Sequence, residues 1–451
     1  MNNLTTCFYT LLLLTCSWAV KAQEHHPHHL FIKMKKGEPL KASQHIQHAK
    51  NLIADLYLVK TNNLEELLAQ VSHWEIEYLQ KDHLHQREPL PQLKETFYSP
   101  HDQWSKGLLH AFFNDEFSKR LWAFDDKWGM SVAKTYQQLP PWGPAEVIVA
   151  VVDTGVDYHH EDLRNIMWKN SGEIAGDGID NDGNGYIDDI YGINTLVRTR
   201  FSRRTTTDPM ASHWHGTHVA GTIAAEINNG IGITGVAHNV KIMAIRSVPD
   251  NANESDSDII ESFLYAARNG ARIINCSFGK TRNDMGPAVS DIINSIGRDF
   301  GVLVVAASGN NSFGPIRWYD IDAKPQYPAS FDSPYLLTVA STNSRGKLSE
   351  FSNIGQLSVD LAAPGSNIFS TVNKNKYAES SGTSMATPNA SGAAAMLLGY
   401  FPELTAVEIK DILMKTVKKS KELEGKMKAP GVINLEAAMK EAQDYRERRW
   451  P

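Results

Sequence analysis

Three segments of the chain carry residue types suited to nucleophilic catalysis. Asp153 closes an apolar run over residues 147–152 and is followed by Thr154 and Gly155. His215 opens the small-residue stretch His215-Gly-Thr-His-Val-Ala-Gly-Thr, and Ser384 lies in Ser381-Gly-Thr-Ser-Met-Ala-Thr-Pro388. An alcohol is a poor nucleophile at neutral pH. It needs a base within hydrogen-bond reach, and the base needs a carboxylate to fix its tautomer and stabilise its charged form. In an open α/β sheet such groups collect at the carboxyl ends of strands and at the helix starts that face them. The pattern puts Asp153 at a strand end and His215 and Ser384 at helix starts. Asn310, in Ala306-Ala-Ser-Gly-Asn310, follows another apolar run. Its side-chain amide can donate to the oxyanion that forms when a carbonyl is attacked, with the Ser384 N–H as second donor.

A different chemistry is concentrated in residues 176–189, which are dense in hard oxygen ligands. Asp180, Asp182 and Asn184 stand at positions 1, 3 and 5 of a calcium loop of the EF-hand type, with Gly185 at 6, the Tyr186 carbonyl at 7 and Asp188 at 9. Position 12 is Tyr191, so the bidentate glutamate is missing, and Asp177 or Asp189 would substitute. This many carboxylates in one turn repel strongly without a cation. The loop is expected to hold a structural Ca2+; the competing reading is a solvated Asp/Gly turn.

The elements that must position these groups are legible as alternating patterns. Apolar runs at 147–152, 240–245, 271–276, 302–307 and 335–340 read as buried parallel strands. Helical patterns at 215–227, 256–269 and 285–298 separate several of them, and two more, 383–400 and 405–416, close the unit. This predicts an α/β three-layer sandwich with a mostly parallel central sheet over residues 114–440. Residues 441–451 read as a short charged tail with no module.

The N-terminal part has another texture. Residues 8–20 are apolar and then turn polar, with Val20 and Ala22 at −3 and −1 of a cut before Gln23. That predicts a signal peptide over 1–22, too short for a comfortable membrane span; an uncleaved anchor and a lipid-modified Cys16 are the alternatives. Residues 23–113 read as strand (30–34), strand (56–60), helix (64–74) and strand (75–79), a small α+β unit followed by a proline-containing linker. Eleven of the 17 histidines fall here. Their excess suggests either a pH-sensitive segment, a weak transition-metal site at residues 25–29, or exposed histidines without function. Cys7 and Cys16 leave with the signal, so Cys276 stands alone and the mature chain has no internal disulfide. The 451 residues carry a net charge of −6, with 42% hydrophobic and 21% charged residues. That is globular composition, without the basic footprint of a nucleic-acid binder.

The four catalytic blocks, in this order, resemble the subtilisin-like serine proteases, the subtilase family (peptidase family S8). The resemblance runs from about residue 114 to residue 439. It implies Ser384 as nucleophile, His215 as general base and then acid, Asp153 as its orienter and Asn310 as oxyanion donor. It also implies that Ser277, Phe278 and Gly279 pair with an extended substrate, and that Ala307, Ser308 and Gly309 line the pocket for the residue before the cut bond. The far wall of that pocket is expected from the loop before Tyr327. Asp320 or Asp322 there would favour Lys or Arg, unless both are plain surface acids. His218 is expected to be a packed structural histidine, His213 to face solvent, Asp157 to bond a turn, and Cys276 to be a buried apolar residue. Pro388-Asn-Ala-Ser391 stands where many members carry Pro-His-Val-Ala, a departure inside the helix that carries Ser384. Some relatives carry a similar acidic loop. The resemblance further implies a zymogen whose residues 23–113 act as intramolecular inhibitor. The expected protein is a secreted or periplasmic, cell-envelope serine endopeptidase acting on protein or peptide substrates, with no transmembrane segment in its mature form. The alternative is an inert calcium-stabilised binding protein on the same fold.

Overall fold

The computed structural model describes residues 25–83, 112–196, 208–250, 255–280, 287–312 and 318–449. The signal segment and most of the linker lie outside the described residues.

In chain order the first unit comprises β1 (His25–Met34), β2 (Ile46–Ile53), β3 (Leu56–Thr61), α1 (Leu64–Val71) and β4 (Ile76–His83). Its antiparallel sheet runs β2-β3-β1-β4. β1 is buried on both sides. Leu30, Ile32 and Met34 pack with Leu64, Leu67 and Val71 of α1, while Phe31 points the other way. β2 is the element the sequence pattern does not announce. Only Leu52 of its eight residues is buried, so no apolar alternation marks it. It forms by pairing with β3, reversing at Ala54, which adopts φ 45°.

The second unit contains α2 (Val132–Gln137), β5 (Val147–Asp153), β6 (Gly192–Asn194), α3 (His215–Ala224), β7 (Val240–Arg246), α4 (Asp256–Arg268), β8 (Ile273–Cys276), α5 (Pro287–Phe300), β9 (Leu303–Ala307), β10 (Leu336–Thr342) and β11 (Leu361–Pro364). The hairpin β12 (Ile368–Val372) and β13 (Lys376–Ser380) follows, then α6 (Thr383–Tyr400), α7 (Ala406–Lys415), β14 (Lys418–Lys419), β15 (Gly431–Val432) and α8 (Leu435–Arg449). The sheet order is β14-β15-β11-β10-β9-β8-β5-β7-β6, parallel except where β14 meets β15. This is the expected α/β sandwich.

Both faces of the sheet are covered, which explains the unbroken apolar runs. Val147, Val149 and Val151 of β5 pack with Val219 of α3 and Ala390 of α6. Ala150 and Val152, of opposite parity, pack with Ile259 of α4 and Ile292 of α5. β5 is the strand at which the winding reverses, toward β7 on one side and β8 on the other, and such a reversal opens a crevice at the carboxyl ends. α8 corrects the reading of the C-terminus. Residues 441–449 continue a helix whose Leu435, Ala438, Met439 and Ala442 are buried. The helical face starts before the charged stretch and is made partly of alanine, so the charge masked it.

The first unit docks on α4 and α5. Phe31, Leu52 and Leu56 join the apolar cluster beneath those helices. The Ser257 N–H and hydroxyl donate to the Asp82 carboxylate at 3.1 and 2.8 Å, at the start of α4. Gln80 donates to Asp256 and accepts from the Ala288 N–H of α5, both at 3.0 Å. A carboxylate at a helix N-terminus satisfies orphan N–H groups and the helix dipole together. His29 is buried with its Nδ1 3.1 Å from Asp82, so one member of the histidine cluster is an interface group and not a solvent-facing one.

Candidate active site

Asp153 and His215 meet as the β5 end and the α3 start face each other. His215 Nδ1 lies 2.7 Å from Asp153 Oδ1, and both residues are almost fully buried. The approach is close because residue 216 is glycine. A Cβ there would sit 2.1 Å from the Gly155 carbonyl and 3.1 Å from the Asp153 Cβ. Any larger residue would push the imidazole off the carboxylate.

Ser384 is the second residue of α6, which packs against α3. Its hydroxyl donates to the Ser277 carbonyl at 2.9 Å. The bond from Ser384 to His215 is therefore not formed in this state. Hydrogen bonds of this kind commonly tighten only with substrate in place. Ser277 follows β8 directly and returns a bond of its own, its Oγ donating to the Ser384 carbonyl at 2.9 Å.

Asn310 is fixed by Thr383. Its Oδ1 accepts from the Thr383 N–H and from the Thr383 hydroxyl, both at 2.9 Å. The same hydroxyl accepts from the Gly309 N–H at 3.1 Å. With its oxygen held on Thr383, the Asn310 amide leaves its Nδ2 on the Gly382 side. A Cβ placed on Gly382 would be 3.5 Å from Ser384 N and 3.6 Å from Asn310 Nδ2. The two expected oxyanion donors thus border one small volume. Thr383 was not singled out from the sequence; its position between a conspicuous Gly and Ser concealed its orienting role.

His218 sits one turn along α3 and is fully buried. Its Nε2 donates to the Ile368 and Ala378 carbonyls at 3.0 and 3.2 Å. Burial depresses its pKa to about 3, with the neighbouring His215 acting in the same direction. It is a neutral strut between α3 and the β12–β13 hairpin. His213 is partly buried, not solvent-facing, because its Nδ1 accepts the His215 N–H at 3.2 Å. Asp157 accepts from the His159 and Lys374 N–H groups, as a turn residue does. Cys276 is buried in β8.

Ser277, Phe278, Ala307, Ser308 and Gly309 are buried beside Ser384, and Gly279 is exposed at the rim. Just past Gly279, Lys280 pairs antiparallel with Tyr327. Gly309 adopts φ +100°, and a Cβ there would lie 2.2 Å from Gln326 Oε1. A Cβ on Gly279 would lie 3.0 Å from Gln326 Nε2. The side chain spanning these two segments is therefore Gln326, whose Oε1 accepts from Asn353 at 2.7 Å. Neither acid of the preceding loop does this. Asp322 is committed to the Leu357 and Ser358 N–H groups at 2.8 and 2.9 Å, and Asp320 is exposed with its Oδ1 on the Asp322 N–H. A neutral amide carries no sequence signal of the kind an acid does, so Gln326 was missed.

The acidic loop folds around a donor-poor centre. Asp188 accepts from the Gly176 and Gly178 N–H groups, and Asp177 from Ile179 N–H and the Asn181 amide. Asp180 Oδ2 accepts from the Gly185 N–H at 2.9 Å, whereas its Oδ1 is buried with no hydrogen-bond partner. Asn184 bridges Asp182 and Asp189 through its Nδ2, and its Oδ1 accepts the Tyr186 N–H. Glu173, Asp182 and Asp189 each offer a carboxylate oxygen, all within 4.8 Å of one another. Asp189 is fully buried, which raises its pKa to about 6 against the pull of Tyr265, Asn184 and Asn170. Glu173 is a new member of the set. It precedes the motif and enters by folding back, accepting the Asn181, Asp182 and Asp188 N–H groups.

The chain has recognisable relatives. The sequence profile of the subtilase family matches residues 145–431. Subtilisin-like protease 1 of Plasmodium berghei is 32% identical over 345 residues, covering 74% of this chain and 55% of that protein. The thermophilic serine proteinase of Bacillus sp. strain AK1 is 37% identical over 249 residues, 55% of this chain and 51% of the relative. The halolysin-like extracellular serine protease Nep of Natrialba magadii is 34% identical over 275 residues, 61% of this chain and 44% of that protein. The chain thus spans about half the length of the curated relatives it matches. Among solved structures, a protease from Pseudoalteromonas arctica PAMC 21717 superposes with a TM-score of 0.59 at 25% identity, covering 73% of this chain and 99% of that one.

Proposed function

Since the chain belongs to the subtilase family, we propose that it is a serine endopeptidase acting through an acyl-enzyme, with Ser384, His215, Asp153 and Asn310 as its machinery. The observation that carries this reading is the buried 2.7 Å pairing of Asp153 with His215. With Nδ1–H held by the carboxylate, Nε2 is left as the basic nitrogen. In the proposed reaction, Ser384 Oγ leaves the Ser277 carbonyl, gives its proton to His215 Nε2 and attacks the substrate carbonyl. The oxygen, now negative, takes hydrogen bonds from Asn310 Nδ2 and Ser384 N–H. His215 then protonates the departing amine, and water repeats the sequence to release the acyl group. An extended substrate would lie along residues 277–279, with its side chain before the cut bond entering between Ala307–Gly309 and Gln326.

The test is labelling by a fluorophosphonate. The wild type should be modified at Ser384 and cleave peptides, and Ser384→Ala should do neither. A wild type that is inert to the reagent would leave the binding-protein alternative standing.

Three further readings belong to the same proposal. The chain is exported, supported by the signal-like segment 1–22 and by an extracellular protease among its relatives; among the described residues no helix is long and apolar enough to cross a membrane. Residues 23–113 are a propeptide, supported by the separate sheet docked on α4 and α5. Intact-mass analysis of Ser384→Ala should find that segment still attached, where the wild type has lost it. The acidic loop holds a structural Ca2+, supported by the orphaned Asp180 oxygen and the convergent Glu173, Asp182 and Asp189. The ion would neutralise carboxylates that the loop's own donors leave uncompensated.

A further inference from the structure

The helix that carries the nucleophile has a missing bond. In an α-helix each N–H donates to the carbonyl four residues back. Position 388 of α6 is proline, which has no N–H, so the Ser384 carbonyl lacks its regular i+4 partner in the helix. Ser277 Oγ supplies that bond from outside at 2.9 Å.

The Ser277 hydroxyl is itself held. Asn275 Nδ2 donates to it at 2.9 Å, and the Ser391 hydroxyl donates to Asn275 Oδ1 at 2.9 Å. Asn275, Ser277 and Ser391 are 0, 1 and 0% exposed. The direction of every bond is determined. Ser277 has a single hydroxyl proton, which is given to the Ser384 carbonyl, so it must accept from Asn275. That sets the amide with its oxygen toward Ser391, which therefore must donate. Ser391 is seven residues beyond Ser384, on the same face two turns along. The chain of bonds leaves α6 at Ser391, crosses the end of β8 and returns to α6 at the nucleophile.

We propose that Ser391 is a positioning residue for Ser384. It fixes the Asn275 amide, which fixes the Ser277 rotamer, which supports the proline-weakened first turn from which the nucleophile and one oxyanion donor project. It touches no substrate. This inference rests on the peptidase reading above.

The experiment uses a shape-matched pair, Ser391→Thr and Ser391→Val, which differ only in the hydroxyl, alongside Ser391→Ala. Fluorophosphonate labelling rate, kcat and KM are measured on folded protein, checked by melting. The expected result is Thr within about twofold of wild type. Val and Ala should be slowed about tenfold in kcat and in labelling rate, with KM within twofold. Adding Ser391→Val to Ser277→Ala should slow the enzyme no further, because the relay is already broken. Equal rates for Thr and Val, or full additivity with Ser277→Ala, would overturn the role of Ser391 while a labelled wild type leaves the peptidase reading intact. A wild type that does not label removes the peptidase reading itself, and this inference with it.

Discussion

The molecule contains two dense polar regions built on opposite terms. Around Ser384 most polar groups are neutral dipoles, and those that orient the nucleophile's turn are matched. Thr383 holds Asn310, Ser277 holds the Ser384 carbonyl, and Asn275 and Ser391 hold Ser277. In the loop over residues 173–189 there are six carboxylates and no Lys or Arg. Backbone amides, three asparagines and the Tyr265 hydroxyl supply the donors, and one buried oxygen of Asp180 is left over. The first region is preorganised by the protein alone, which suits stabilising charge only when it develops. The second holds standing charge that its own donors leave partly unmatched, which is where the proposed Ca2+ would act. The two should therefore fail under different insults.

The largest effect expected is in the first region. Asn310→Ala removes one donor from the volume in front of Gly382. Loss of one such donor costs roughly 10²–10³ in kcat, about 2.7–4 kcal/mol, a scale set by a subtilisin. Steady-state kinetics should show that loss with KM little changed and the melting temperature nearly unmoved, since Asn310 is only partly buried. A kcat within threefold of wild type would mean that the amide is not aimed where charge forms.

The second region should respond to chelation and not to that substitution. If Ca2+ is held at about 100 times its Kd, its removal costs about 2.7 kcal/mol. For a domain of this size that is a drop in Tm of roughly 5 °C. Self-digestion should quicken in step, because cleavage follows the unfolded fraction. Asp180→Asn should reproduce part of the shift. A melt identical with and without excess chelator sinks the calcium reading.

The same contrast explains what could be read in advance. Asp153, His215, Ser384 and Asn310 were legible because each closes or opens an element whose apolar pattern is strong. The chemistry and the fold announced each other. The residues that orient them were not. Thr383, Asn275 and Ser391 look like ordinary small polar residues until folding places β8 against α6. Glu173 lies outside the loop motif and joins by a backward fold. β2 and the end of α8 escaped for a different reason. Each buries few apolar side chains, so pairing with β3 and packing against the body of the domain fix them, and neither leaves a period in the sequence.

Acid should separate the regions again. Folded His218 has its pKa lowered to about 3 by burial, against 6.5 ordinarily. Below pH 6.5 the unfolded imidazole takes up a proton that the folded one refuses. This contribution to stability is therefore complete above about 6.5 and is lost as pH falls toward 3. Each pH unit in that window costs about 1.4 kcal/mol, so about 2 kcal/mol goes between 6.5 and 5. His218→Gln keeps an N–H for the Ile368 and Ala378 carbonyls but does not titrate. With calcium kept saturating, its denaturant midpoint should be flatter over that range than the wild type's. Parallel curves would show that His218 is not the acid-labile strut.

The smallest effect concerns the proposed pocket, where the first region would meet substrate through a neutral group. Gln326 lies against Gly309 and Gly279, and its Oε1 accepts from Asn353. Gln326→Glu keeps that acceptor and the shape, and adds a charge at 5% exposure. The ratio of kcat/KM for Lys or Arg over a neutral residue before the cut should rise about tenfold, worth about 1.4 kcal/mol. Asp322→Asn should leave the ratio alone, because that carboxylate faces the N–H groups of Leu357 and Ser358. The opposite pattern, with Asp322→Asn shifting the ratio and Gln326→Glu silent, would return the pocket wall to the acidic loop. It would also mean that standing charge lines the proposed pocket after all, which is the arrangement the geometry around Gln326 argues against.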